Sequence, residues 1–173
     1  RRLMYSKTVE EALNKQINAE LFSSYLYYSM SAWAAASDYP GMANWFKVQA
    51  LEELFHVSKF VNYINDRGGR VKLGAVEAPQ SDWETPVAAF SDTLSHERQI
   101  SGLINDLVNL ATAEKDRTTE SFLQWFVNEQ IEEEATASEL LGKIKLIGDN
   151  GAGLYMIDQE LASRVYTPPA AGI

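Results

Sequence analysis

The stretch NEQIEEE, residues 128–134, sets four glutamates in seven positions, and its flanks FLQWFV and ATASELLGKI have the composition of a helix. Glu129 lies within one turn of both Glu132 and Glu133, and like charges on one helix face cost about a few tenths of a kcal/mol per pair. Three further positions carry comparable chemistry: Glu20, the Glu-x-x-His pair Glu53 and His56, and Glu97. Carboxylates with a single imidazole are the donors of Fe(II) or Mn(II), whereas structural zinc draws on sulfur or more histidine.

The bulk composition agrees with a cation as partner. Acids outnumber bases 24 to 15, for a formal charge of −9, and no Lys/Arg cluster offers the footprint that phosphate backbones require, so nucleic acid is not an expected partner. The absence of cysteine removes disulfides, thiolate metal sites and thiol nucleophiles, and fits a reducing compartment such as the cytoplasm. No apolar run approaches the roughly 20 residues that cross a bilayer, so no membrane is expected. The 173 residues, 46% of them hydrophobic, suit one domain with a sizeable core.

Positioning such donors falls to helices. Apolar residues recur every three or four positions over about 8–37, 41–67, 85–113 and 118–147, with a shorter amphipathic segment over about 151–163. SDYPG and the Gly68-Gly69 pair stop the first two. The connection over about 68–84 is too long for a bundle turn, which takes about 2–8 residues, and predicts a crossover along the whole bundle. The tail from about 166 to 173 is expected to be disordered. The predicted fold class is all-α: a four-helix bundle with a long crossover between helices two and three and a short fifth helix.

Stepping three and four residues along each helix gives the inward frames. These are Leu13, Ile17, Glu20, Ser24, Tyr27; Met42, Phe46, Gln49, Glu53, His56, Phe60, Tyr63; Val87, Phe90, Leu94, Glu97, Ser101, Ile104, Val108; and Leu123, Phe126, Gln130, Glu133, Ala137, Leu140, Ile144. Each is apolar toward its ends and polar within about two or three residues of its middle, so the polar groups fall at one level of the assembled bundle. A single Glu on an inferred face is more often solvated, but agreement across four helices argues against misplacement. Buried unpaired carboxylates cost several kcal/mol each, and no Lys or Arg shares these frames, so the cation must come from outside. One Glu from each of two helices plus a Glu-x-x-His pair is a carboxylate di-iron pattern of ferritin-like bundles. Tyr27 is open to two readings, core packing or a role beside the metal.

From about Val9 to Leu161 the chain resembles the non-haem ferritins of prokaryotic type, through NKQINAELFSSYLYYSMSAW, ALEELFH, FLQWFVNEQIEEE and GAGLYMIDQEL. The resemblance implies a single ferritin-like domain and a homo-oligomeric shell of twenty-four subunits. It implies an iron-storage ferroxidase that oxidises Fe(II) with O2 or H2O2 and deposits ferric oxyhydroxide. By the same resemblance Glu20, Glu53, His56 and Glu97 hold the first iron, with Glu97, Gln130 and Glu133 around the second. Tyr27 and Trp125 match a tyrosine and a tryptophan near the site, as one-electron donors. Glu52, Glu129 and Glu132 would form a third iron site with Glu133, against the plainer reading of a solvated acidic flank. Glu134 and His96 are read as surface.

Relatives separate by sequence. Haem-binding bacterioferritins carry a second Glu-x-x-His on the fourth helix and Met after the first Glu, where this chain has Gln130-x-x-Glu133 and Leu54, so no haem is expected. Rubrerythrins need cysteines, and mini-ferritins lack the fifth helix. A catalytically silent cage subunit and a non-cage di-iron oxidase remain as alternatives.

Overall fold

The computed structural model describes residues 4–168, and positions 169–173 of the expected disordered tail lie outside them. Helices form where the sequence supplies both an amphipathic period and a start signal: α1 (Lys7–Ala36), α2 (Pro40–Asp66), α3 (Pro86–Ala113), α4 (Arg117–Ile147) and α5 (Gly151–Leu161). Ser6, Thr85, Asp116 and Asn150 each accept a hydrogen bond from an otherwise orphaned amide of α1, α3, α4 and α5 respectively. Pro40 and Pro86 open α2 and α3, where a missing N–H costs nothing. Among the described residues there is no strand, and no helix is long and apolar enough to cross a membrane.

Tight turns join α1 to α2 and α3 to α4, so each pair is antiparallel. The crossover is pinned to α1 in ascending order. Asn14 binds Arg70 and Lys72, Asn18 binds Gly74 and Ala75, and the Ser29 hydroxyl donates to the Gln80 carbonyl at 2.6 Å. Trp83 then packs on Trp33 with ring centroids 5.7 Å apart. The crossover therefore climbs the bundle parallel to α1, and α3 descends beside it.

The apolar core forms two clusters. One unites the C-terminal part of α1, the N-terminal parts of α2 and α3, the C-terminal part of α4, and α5, around Met30, Phe46, Phe90 and Ile144. The other joins the opposite ends around Leu13, Phe60, Ile104 and Phe126. Between them on every long helix lie buried polar side chains: Glu20, Glu53, His56, Glu97, Gln130 and Glu133. The inward frames hold except at their edges. Tyr63, placed on a buried frame, is only half-buried, and Ile64 takes the core position. Its hydroxyl instead meets Thr119 and Arg67 at 2.8 and 2.7 Å.

Helix α5 is docked by Ile157 and Leu161 and by one charge. The buried Asp158 carboxylate accepts from the Gly41 and Met42 amides at 3.0 and 2.8 Å, capping the N-terminus of α2. Gly41 is required there, because a Cβ would stand 1.7 Å from the Asp158 carbonyl oxygen. Gly41→Ala is expected to cost about 1–3 kcal/mol through the forced retreat of α5. Urea denaturation measures this, and an unchanged midpoint would refute the close approach.

Candidate metal centre

Glu20 comes from α1, Glu53 and His56 from α2, Glu97 from α3, and Gln130 and Glu133 from α4, all buried at the junction of the two core clusters. Glu53 and His56 face the same way because residues three apart on a helix share a face. His56 Nδ1 lies 3.1 Å from Glu53 Oε2 and 3.6 Å from Glu20 Oε2. These three groups offer ligand atoms mutually within 4.8 Å, as do His56, Glu129 and Glu133. Glu97 falls outside both trios and is held separately. The Tyr27 hydroxyl donates to its Oε1, and Gln130 Nε2 lies 3.2 Å from its Oε2 and 3.1 Å from its carbonyl.

Several polar residues that aim the carboxylates lie outside the predicted site. Gln16, one turn before Glu20, donates to Glu20 Oε1 at 2.8 Å. Gln49, one turn before Glu53, donates to Glu133 Oε2 at 2.6 Å. Ser101 receives Gln130 Nε2 at 3.2 Å and donates to Glu134 at 2.6 Å. Gln49 and Ser101 stood on the inward frames, so their placement was a usable signal. Two buried oxygens of this layer, Glu20 Oε2 and Gln49 Oε1, have no hydrogen-bond partner. Such an orphan costs about 1–3 kcal/mol unless an ion or water takes it up.

One expectation fails here. His96, read as surface, is buried; its Nε2 lies 2.7 Å from Ser23 Oγ and its ring stands edge-on to Tyr27 at 5.9 Å. Burial pushes its imidazole down to about 4. A helix buries a stripe at least about 100° wide, so the neighbour of a frame residue also goes inside where another helix crosses it. Glu134, read as surface, keeps its side chain 35% exposed, accepts from the Ser101 hydroxyl at 2.6 Å and has Arg98 Nε 3.9 Å away.

The remaining positions differ. Tyr27 is fully buried, and its hydroxyl is held well above the ordinary phenol value by burial and by the charges of Glu97 and Glu53. Trp125 is half-buried, its ring 5.4 Å from the His56 ring and beneath Lys59 Nζ at 4.3 Å. Glu129 is half-buried, its carboxyl raised by burial in spite of the nearby His56. Glu52 turns to Arg164 at 2.6 Å, and Glu132 is exposed. The four acids of the expected third site are thus not gathered into one cluster.

Charge explains the titration of the layer. No Lys or Arg is among the buried residues described, so one imidazole must serve four carboxylates. Burial lifts Glu53 well above the carboxylate range, raises Glu97, and takes Glu133 to about 8. Burial also acts against protonated His56, but Glu53 and Glu20 outweigh it and hold the imidazole well above its ordinary value. Glu20 moves the other way, since the charge of His56, 3.6 Å from its Oε2, with the hydrogen bond from Gln16 overrides the upward pull of burial.

A four-helix bundle with a buried carboxylate and imidazole layer at mid-height defines a class of metal-binding protein, and comparison specifies it. The ferritin-like domain profile matches residues 10–147. The chain is 43% identical over 161 residues to a bacterial non-heme ferritin from Bacteroides fragilis, covering 93% of this chain and 100% of that one. It is 41% identical over 163 residues to one from Staphylococcus aureus, covering 94% and 98%. Among solved structures, an engineered closed form of the Archaeoglobus fulgidus ferritin superposes with a TM-score of 0.93 at 47% identity, covering 94% of this chain and 99% of that one. An open-pore ferritin from the same archaeon gives 0.92 at 46%, covering 92% and 98%. The chain belongs to the ferritin family, the iron-storage proteins.

Metal ligands bind deprotonated, so groups whose pKa is raised must surrender protons to a cation. Fe(II) binding at neutral pH is expected to release protons, Glu133 with its carboxyl at about 8 among the donors, and affinity should fall as pH falls. Anaerobic calorimetry in buffers of different ionisation enthalpy checks this; buffer-independent heats would contradict it.

Proposed function

We propose that this chain is a ferroxidase subunit of an iron-storage shell, with Fe(II) and O2 or H2O2 as substrates. The observation that carries the reading is the buried, cation-starved layer. Four carboxylates converge with one imidazole, and an oxygen of Glu20 is left without a hydrogen-bond partner. Two divalent cations would balance the four negative charges and relieve the desolvation cost that otherwise drives protonation. Glu20, Glu53 and His56 would hold one iron, Glu97 would bridge, and Gln130 with Glu133 would complete the second position.

Two Fe(II) ions give two electrons, which with two protons reduce O2 to H2O2; with H2O2 as oxidant, the two electrons from two Fe(II) and two protons yield two waters. Carboxylates hydrogen-bonded to Gln16, Gln49, Gln130 and Tyr27 can exchange those bonds for metal bonds, so the residues aim the ligands without locking them. Tyr27, touching Glu97, and Trp125, edge-on to His56, would serve as one-electron donors, a role their short range supports. Glu129, within reach of His56 and Glu133, begins the third position, to which Glu52 and Glu132 would contribute on rotation.

Assembly into a shell is supported by the ferritin structures superposed above. It is also supported by large apolar side chains left open on α1 and the crossover: Tyr25, Tyr28 and Leu73 at 51, 45 and 66% exposure. A second copy would cover them. Storage in the cytoplasm is part of the same proposal.

Glu53→Ala and His56→Ala should each slow aerobic Fe(II) oxidation at least about 100-fold, read as the rise of ferric absorbance. Normal rates in both would overturn the ferroxidase reading. Size-exclusion chromatography should show a particle of several hundred kDa, and elution as a monomer or dimer would overturn the shell.

A further inference from the structure

Arg164 follows α5, yet its guanidinium reaches a carboxylate of α2. Its Nη2 donates to Glu52 Oε2 at 2.6 Å, its Nη1 approaches the Trp45 carbonyl at 3.3 Å, and the guanidinium lies 4.6 Å from the Trp45 ring centroid. Its own carbonyl accepts from Asn44 Nδ2 at 2.9 Å. Four contacts to α2 therefore clasp the segment behind α5, and one of them occupies an acid expected to hold iron.

We infer that Arg164 is the resident counter-cation of the third iron position: it occupies Glu52 while iron is absent, and iron there displaces it. The inference rests on the third site proposed above. Beyond its acidic composition, its shared ligand Glu133 lies with Glu129 within ligand reach of His56 and accepts from buried Gln49, whose Oε1 has no hydrogen-bond partner. A cation at Glu52 and Glu129 must replace a bound guanidinium, and two positive charges at one carboxylate repel. Arg164 thus weakens the third position relative to the di-iron pair, which favours onward movement of iron over retention. By linkage, whatever Arg164 costs iron, iron costs the clasp. Occupancy of the third position should loosen the segment after α5.

Anaerobic Fe(II) calorimetry on the assembled protein tests this. Three ions per subunit are expected, with the third bound on the order of fivefold tighter in Arg164→Gln, the scale of one partly exposed ion pair. Arg164→Lys, which keeps the charge, should stay near the unmodified protein. Three ions with an unchanged or weaker third constant in Arg164→Gln would overturn the role of Arg164 while leaving the third site standing. Two ions in both proteins would overturn the site and the inference with it. Hydrogen exchange supplies the reciprocal readout. Amides of Ala162, Ser163 and Arg164 should exchange faster once the third ion binds, and in Glu52→Gln should be fast before any iron is added. Exchange unmoved by iron would also overturn the inference.

Discussion

Four carboxylates buried with one imidazole in the middle of a helical bundle cannot all remain ionised without added positive charge, and the rest of the molecule is arranged around that deficit. The cost of desolvating an anion is several kcal/mol. Burial raises the carboxyls of Glu53, Glu97 and Glu133 toward their neutral forms, and His56 Nδ1 lies 3.6 Å from Glu20 Oε2. Protons are a weak substitute for divalent metal, because they leave Gln49 Oε1 without a hydrogen-bond partner. The same layer divides the apolar core into two clusters, so stability is carried by the two ends while the middle is kept for chemistry.

A second tier of uncharged polar groups makes the layer workable. Gln16, Gln49, Gln130 and Tyr27 each donate to one of the carboxylates, and each bond is short enough to orient its acceptor. Neutral donors stabilise carboxylates without neutralising them, which keeps the site attractive to cations. An Arg in any of these places would hold the carboxylate more strongly and would compete with the metal. At the edge of the site, beyond the buried carboxylate layer, Arg164 does meet Glu52.

Topology links the centre to the ends of the chain. The crossover, pinned to α1 by Asn14, Asn18 and Ser29, lets α3 descend beside α1 and so brings Glu97 to the level of Glu20. Helix α5, held by Asp158 on the first amides of α2, returns the chain to the helix that carries Glu53 and His56. A short helix distant in sequence thereby sets where Arg164 lies.

Helical period, polar interruptions and the Gly/Pro stops were legible directly, because a 3.6-residue repeat records which face is buried. The common level of Glu20, Glu53, His56, Glu97, Gln130 and Glu133 followed from helix length alone, since each helix rises the same distance per residue. His96 was misjudged because a single stripe per helix cannot show where a neighbouring helix covers the flank. Likewise, Glu52 and Glu129 look equivalent in a charge run. Only the packed structure decides that Glu129 approaches His56 while Glu52 meets an arginine 112 residues away. Residue type and spacing determined that a cation is needed and at what level. Which carboxylates reach one another, and which are already occupied, depends on side-chain rotamers and on the docking of α5, long-range contacts that one helix's sequence does not encode.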